Sequence, residues 1–253
     1  MTAVKVAVIG AAGRMGQQTC SAVSDADGLE LVAEVHLDGS VDDAAAAGAQ
    51  VVVDFTRPDV VMGNVERALA LGMHAVVGTS GFDEERLEQV RVLVEQSPGL
   101  GVVVAPNFAL GAVLLMRFAR EAATYFDSVE IVETHHADKI DAPSGTAVHT
   151  AQLIAAARSA AAAPTAPDAT SSALPGARGA IIDGIPVHSV RLRGAVAHEE
   201  VVFGNAGEIL TLRHDSLDRA GFMPGVLLAV REVVRRPGLT VGLEPLLGLP
   251  SAP

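Results

Sequence analysis

Val4-Lys5-Val6-Ala7-Val8-Ile9-Gly10-Ala11-Ala12-Gly13-Arg14-Met15-Gly16 is the stretch that decides the fold. Val4 to Ile9 is short, apolar and rich in β-branched residues, which predicts a strand. A helical pattern follows the glycines to about Ser24. Strand, glycine turn and helix form the dinucleotide-binding arrangement. Its first glycine permits the tight turn, its second lets backbone approach a pyrophosphate, and its third allows close helix–strand packing. The spacing here is G-x-x-G-x-x-G rather than G-x-G-x-x-G, so position at the first βα junction carries more of the reading than spacing does.

The rest of the amino-terminal half repeats this alternation. Leu29–Val35 is the predicted second strand, Gln50–Thr56 the third, His74–Val77 the fourth and Gly101–Ala105 the fifth. Pro58 suits the first turn of a helix running to about Leu71, and Asp83–Glu95 is amphipathic. Strands alternating with helices predict a parallel sheet with ligands at the carboxyl ends of its strands. The glycine turn, Thr56, Gly78-Thr79 and Pro106-Asn107 all fall at such ends. At the second strand end, where an adenine ribose is usually met, stands His36, between Glu34 and Asp38 and with Arg14 in the glycine turn. A carboxylate favours NAD and a cation favours the 2′-phosphate of NADP, so coenzyme preference stays open; His36 also reads as a solvated loop residue.

After a helical run from Leu110 to Phe126 the pattern changes. Val129–Val132, Val187–Leu192, Ala197–Phe203 and Glu208–Arg213 are strand-like, which predicts a second, α+β domain with a mixed sheet. Ala160 to Ser172 is Ala, Pro, Ser and Thr, a surface loop. Pro224–Val234 is helical, and the apolar tail Leu239–Pro253 is expected to pack back on the first domain. The expected division is 1–108 with 218–253, and 109–217.

Bulk properties exclude several classes. A chain of 253 residues, 49% hydrophobic and 19% charged, is globular. No apolar run is long enough for a membrane span, and no signal peptide is read at the amino terminus. The net charge of −12 argues against nucleic acid. One cysteine, Cys20, excludes a disulfide framework and points to a cytoplasmic setting. Lysine is rare: Lys5 and Lys139 stand against sixteen arginines.

Lys139 falls in the densest chemical stretch, Glu133-Thr134-His135-His136-Ala137-Asp138-Lys139-Ile140-Asp141-Ala142-Pro143-Ser144-Gly145-Thr146, placed between a strand and a helix (Ala147–Ala157). Either histidine could be a general acid. Successive strand residues face opposite ways, so the two do not pair unless the strand has ended. Ser144-Gly145-Thr146 opens a helix, whose unpaired N–H groups suit an anion. A metal site lacks helical histidine spacing and cysteines, and a Schiff-base lysine would need a depressed pKa.

His-His-x-x-Lys-x-Asp-Ala-Pro-Ser-Gly-Thr resembles the signature of the 4-hydroxy-tetrahydrodipicolinate (dihydrodipicolinate) reductases of lysine and diaminopimelate biosynthesis. The Gly10–Gly16 turn, Asp54-Phe55-Thr56, Gly78-Thr79, Ala105-Pro106-Asn107-Phe108 and Pro224-Gly225-Val226 look like the same family. The resemblance implies that NADH or NADPH delivers hydride to C4 of a cyclic dicarboxylate, with the hydroxyl lost as water. It implies His135 as proton donor, Lys139 as a catalytic and carboxylate-holding group, and His136, Gly145 and Thr146 as substrate-binding residues. It places Gly10, Ala12, Gly13, Arg14, Met15, Phe55, Thr56, Gly78, Thr79, Pro106, Asn107 and Phe108 on the coenzyme. The family fold is a Rossmann domain rejoined by the carboxyl-terminal segment, plus an α+β domain that builds a homotetramer. This chain departs from many members in carrying Asp138 before the lysine, His36 at the ribose position and Ala12 in the glycine turn. An anion at Asp138 is placed to pair with Lys139. Alternatives are another two-domain dehydrogenase, acting on an amino acid or a semialdehyde, or a non-catalytic NAD(P) sensor. The semialdehyde reading is disfavoured because Cys20 lies in the first helix rather than at a strand end.

Overall fold

The computed structural model describes residues 2–249, which fall into two compact units with boundaries at Leu110/Gly111 and Asp218/Arg219. The first unit is built on six parallel strands, β1 (Val4–Ile9), β2 (Leu29–Val35), β3 (Val51–Asp54), β4 (His74–Val77), β5 (Gly101–Val104) and β11 (Gly238–Val241). Their order is β11-β5-β4-β3-β1-β2. Its helices are α1 (Arg14–Ser24), α2 (Val41–Ala46), α3 (Val61–Ala70), α4 (Glu84–Glu95) and α7 (Met223–Val233). Helices α2, α3 and α4 bury Val41, Val65, Leu69, Val90 and Val94 against one sheet face, while α7 packs on β4 and β5 beside α1. Cover on both faces explains why β3, β4 and β5 read as continuous valine runs without alternation. The order reverses direction about β1 and β3, and a sheet that does so opens a ligand crevice at the carboxyl ends of those strands.

The second unit carries β6 (Ser128–His135), β7 (Ala180–Ile182), β8 (Ile185–Arg191), β9 (Ala197–Asn205) and β10 (Glu208–Ser216), in the order β10-β9-β6-β8-β7. Only β6 and β8 run parallel, so the sheet is mixed. Here the strands alternate, with Val129, Ile131, Val187, Val201 and Phe203 turned inward. They pack on Leu115, Ala119 and Ala123 of the helical run from Leu110 (α5, Leu110–Ala122, and the turn after it) and on Ala147, Ala151 and Ile154 of α6 (Gly145–Ala160). The opposite face carries Glu130, His188, Val190, His198, Glu200, Ile209 and Arg213 and has no helix over it among the described residues.

Several boundaries move. Pro58 lies in a turn before α3, because Arg57 O accepts from both Val60 N and Val61 N and the helix proper starts only at Val61. Helix α5 stops at Ala122 and gives way to a turn before Phe126. Helix α2 and strands β7 and β11 were not legible; Ser40 and Asp43 form a capping box that starts α2. Strand β11 is the part of the tail that adds a sixth strand beside β5, whereas the expectation for 250–253 lies outside the described residues. Strand β6 runs on to His135 rather than stopping at Val132.

The third glycine does what its spacing predicts. A Cβ on Gly16 would collide with the carbonyl of Gly10 and lie 2.7 Å from the Ala11 Cα. Gly63, on the exposed side of α3, has nothing within 4 Å of such an atom. We therefore expect Gly16→Ala to lose about 1–3 kcal/mol in urea unfolding, the cost of overpacking. Gly63→Ala should gain about 0.5–1 kcal/mol from helix propensity.

Candidate functional site

In the first unit, the turn after β1 places Gly10 at φ +81°, where a Cβ would come within 2.8 Å of the Phe55 carbonyl oxygen. Gly13 is the N-cap of α1 and offers no capping side chain, and the first turn holds no acid. The leading N–H groups of α1 are therefore suited to a phosphate, and Ala12, Gly13 and Arg14 are exposed there. The ends of β3 and β4 are tied together by Asp54, which is buried. Its Oδ1 accepts from Thr56 N (2.9 Å), Thr56 Oγ1 (2.6 Å) and Thr79 Oγ1 (2.9 Å), and its Oδ2 from Asn64 Nδ2 (2.7 Å). Thr79 is thus committed inward through its hydroxyl. The Phe55 and Phe108 rings meet edge to face at 5.7 Å. Gly78 lies against both, and any side chain there would collide with Phe55 and approach Phe108 to 2.8 Å. Asn107 Oδ1 accepts from Ala109 N at 2.8 Å and shapes the turn after β5. The structure thus brings Gly10, Phe55, Thr56, Gly78, Thr79 and Phe108 together. Asp54 and Asn64, which organise them, were given no role in the sequence reading; a buried strand-end carboxylate before Phe-Thr was the available signal.

In the second unit, alternation along β6 turns Ile131, Glu133 and His135 to the helix-covered face. His135 therefore pairs with Glu133 at i, i+2 rather than with His136: its Nδ1 lies 2.6 Å from Glu133 Oε2. The parallel register sets Arg191 of β8 opposite His135. Arg191 grips Glu133 through Nη1 to Oε2 (2.8 Å) and Nη2 to Oε1 (2.9 Å), and Nη2 also donates to the Asp141 carbonyl (2.6 Å). Ser144 N donates to Glu133 Oε1 at 3.1 Å. The Ser144 hydroxyl caps α6 by accepting from Ala147 N at 3.2 Å. One buried carboxylate thereby anchors both ends of the 136–144 loop.

The electrostatics follow from this packing. Burial alone would raise the Glu133 carboxyl, but hydrogen bonds from Arg191, Ser189 and His135 outweigh it and hold the group below the usual carboxylate range. Burial pushes the His135 imidazole below its ordinary value; Glu133 opposes this, while Lys139 and Arg191 add to it. Removing one partner of a buried charge pair costs about 3–5 kcal/mol, because the other is left uncompensated.

Lys139 does not pair with Asp138 as its neighbour in sequence suggested. Its Nζ lies 2.7 Å from Asp141 Oδ1. The Asp141 carboxyl is held low chiefly by that contact, with the Gly145 backbone N–H at the start of α6 adding to it. An internal carboxylate therefore sits on Lys139 beside the predicted anion cradle. Thr146 lies in the same helical turn, and His136 is half-buried in the turn closed by Lys139 N to His136 O at 3.2 Å. Sequence reasoning named His135, His136, Lys139, Gly145 and Thr146 but missed Glu133 and Arg191. Ending β6 at Val132 hid the i, i+2 pair, and the β6–β8 register is not visible in a single sequence.

Comparison with known proteins puts these features in one lineage. Residues 4–108 match the family model described as dihydrodipicolinate reductase, N-terminus, and residues 111–247 match its C-terminus counterpart. The chain belongs to the dihydrodipicolinate reductase family. The 4-hydroxy-tetrahydrodipicolinate reductase of Nocardia farcinica is 59% identical over 246 residues, covering 97% of this chain and 99% of the relative. That of Beutenbergia cavernae is 62% identical over 247 residues, again 97% and 99%. Among solved structures, the dipicolinate-bound dihydrodipicolinate reductase from Paenisporosarcina sp. TG-14 superposes with a TM-score of 0.85 at 39% identity, over 97% of this chain and 100% of that one. Like the family, the chain is a nicotinamide-dependent oxidoreductase with a Rossmann-type domain.

The Asp54 network makes a direct demand on stability. Asp54→Ala leaves two threonine hydroxyls, an amide and a backbone N–H without their acceptor. We expect a loss of about 2–4 kcal/mol in urea unfolding, at about 1–3 kcal/mol for each buried group left unsatisfied, offset where water enters.

Proposed function

We propose that this chain reduces 4-hydroxy-tetrahydrodipicolinate to tetrahydrodipicolinate with NADH or NADPH, in lysine and diaminopimelate biosynthesis. The observation that carries the assignment of roles is the cluster Glu133–His135–Lys139–Asp141 at the start of α6, in a chain belonging to this family. The net change exchanges the C4 hydroxyl for hydrogen: the coenzyme supplies hydride, a proton is added, and the hydroxyl leaves as water.

In this reading the first unit binds coenzyme and the second binds substrate. The α1 amino terminus, with Gly10, Ala12, Gly13, Arg14 and Met15, takes the pyrophosphate. Phe55, Thr56, Gly78, Thr79, Pro106, Asn107 and Phe108 shape the nicotinamide end. The bound coenzyme supplies hydride, and this chain's residues orient the acceptor and manage the proton. Lys139, Gly145, Thr146 and His136 hold the substrate carboxylates. A carboxylate arriving there exchanges for Asp141 on Lys139 Nζ, so no cation has to be newly buried. His135 donates the proton. A bound dianion beside the imidazole favours its protonated form, opposing the depression that burial imposes in the free protein.

We also read the molecule as a cytoplasmic homotetramer. A single, buried cysteine and a nicotinamide-dependent biosynthetic step support the location. The uncovered sheet face, where Ile181, Val190 and Ile209 are 58%, 40% and 75% exposed, supports assembly.

Following coenzyme oxidation with enzymatically generated substrate tests the assignment. His135→Gln should lower kcat by about 10²–10⁴-fold, the usual worth of a general acid, with coenzyme affinity unchanged. Lys139→Ala should raise KM for the dicarboxylate by about 10–100-fold, equivalent to one charged hydrogen bond. Full turnover by both variants would overturn the site assignment, and running the assay with each coenzyme reads the preference that His36 leaves open.

A further inference from the structure

Glu133 is fully buried, and the chemistry just described does not use it. A buried carboxylate is costly unless it is paired and hydrogen-bonded. Glu133 is satisfied on both oxygens, by the two-pronged Arg191 contact, by Ser144 N and by His135 Nδ1. Two of those partners are structural ties. The third is the imidazole read as the proton donor, which makes Glu133 more than a core anchor.

We propose that Glu133, clamped by Arg191, is a positioning residue that holds the Nδ1 proton of His135 and leaves Nε2 as the atom that gives its proton to the substrate. This rests on the reading of His135 as donor. An ionised carboxylate only accepts, so the imidazole nitrogen facing it carries hydrogen. Before the step, His135 is an imidazolium with both nitrogens protonated; afterwards the Nε2 proton has moved to substrate and the Nδ1 proton remains on His135, still donated to Glu133. Arg191 keeps Glu133 ionised throughout, so the carboxylate cannot take up the proton itself.

The charged and titratable groups around the pair come from every neighbouring element. Glu133 and His135 lie on β6, Lys139 and Asp141 on the loop, Arg191 on β8, and Glu199 of β9 stands directly across from Glu133 in the antiparallel register. Glu199 is buried, and its Oε1 has no partner among the described residues. Burial raises its carboxyl to about 7, against a hydrogen bond from Thr150 and with the Glu133 charge adding to the rise. Of two facing carboxyls, Glu133 thus holds the charge, as its role requires.

The test is the pH dependence of kcat/KM in the whole enzyme. Activity that needs protonated His135 falls as pH rises through the imidazole pKa. Glu133→Gln removes a negative charge that favours imidazolium, so that limb should move to lower pH by about one unit, with kcat down about 10–100-fold by analogy with lost orienting partners of ligand histidines and coenzyme affinity unchanged. Arg191→Met leaves the buried Glu133 without its clamp and favours the neutral carboxyl, so the limb should again move to lower pH while kcat falls. A purely structural role would lower the unfolding temperature of both variants and leave the limb in place. A limb that stays in place or moves to higher pH in either folded variant overturns the proposal; if one variant fails to fold, the other decides. His135→Gln separates the two levels: if it keeps wild-type turnover, the donor reading itself has failed, whereas an inactive His135→Gln beside an unshifted Glu133→Gln rejects only the positioning role.

Discussion

The second unit depends on a negative charge placed where water does not reach. Glu133 has no solvent exposure, so its carboxylate must find its whole complement of partners inside the protein. Arg191 supplies two of them, with the planar fork geometry that lysine cannot reproduce. Once that pair is formed, much of the local architecture follows. Strand β8 is locked to β6, the Asp141 carbonyl is drawn to the same guanidinium, and Ser144 N closes the loop at the head of α6. The 136–144 loop, which carries Lys139, is therefore held at both ends by one ion pair.

The first unit solves a different problem. Its sheet is covered on both faces, so its strand ends are the places where backbone and polar side chains can meet a ligand. Asp54 joins the ends of β3 and β4 through hydroxyls rather than charges, and Gly78 leaves the gap in which Phe55 and Phe108 meet. The conformational demands on Gly10 and the tight packing at Gly16 place the leading amides of α1 beside those ends.

Much of this was legible in the sequence, for identifiable reasons. A parallel sheet buried on both faces writes itself as apolar, valine-rich runs in its central strands, and β1 to β5 were readable to within two residues. The motif around His135 and Lys139 is long enough to mark the family. What escaped depends on pairing in space. Arg191 is 58 residues from Glu133 and becomes its partner only through the β6–β8 register. Strand β11 looks like an apolar tail until β5 offers it an edge, and β7 is three residues held by a hairpin. The partner of Lys139 was misplaced because adjacency suggested Asp138, whereas the loop folds Asp141 back to the ammonium.

Isotope tracing through the reaction tests the central claim most directly. With a nicotinamide coenzyme deuterated at its transferable position and the enzymatically generated hydroxylated substrate, the product should carry one deuterium at ring C4, seen by NMR and mass spectrometry. A product without that label, or coenzyme that binds and is never oxidised, would contradict the account.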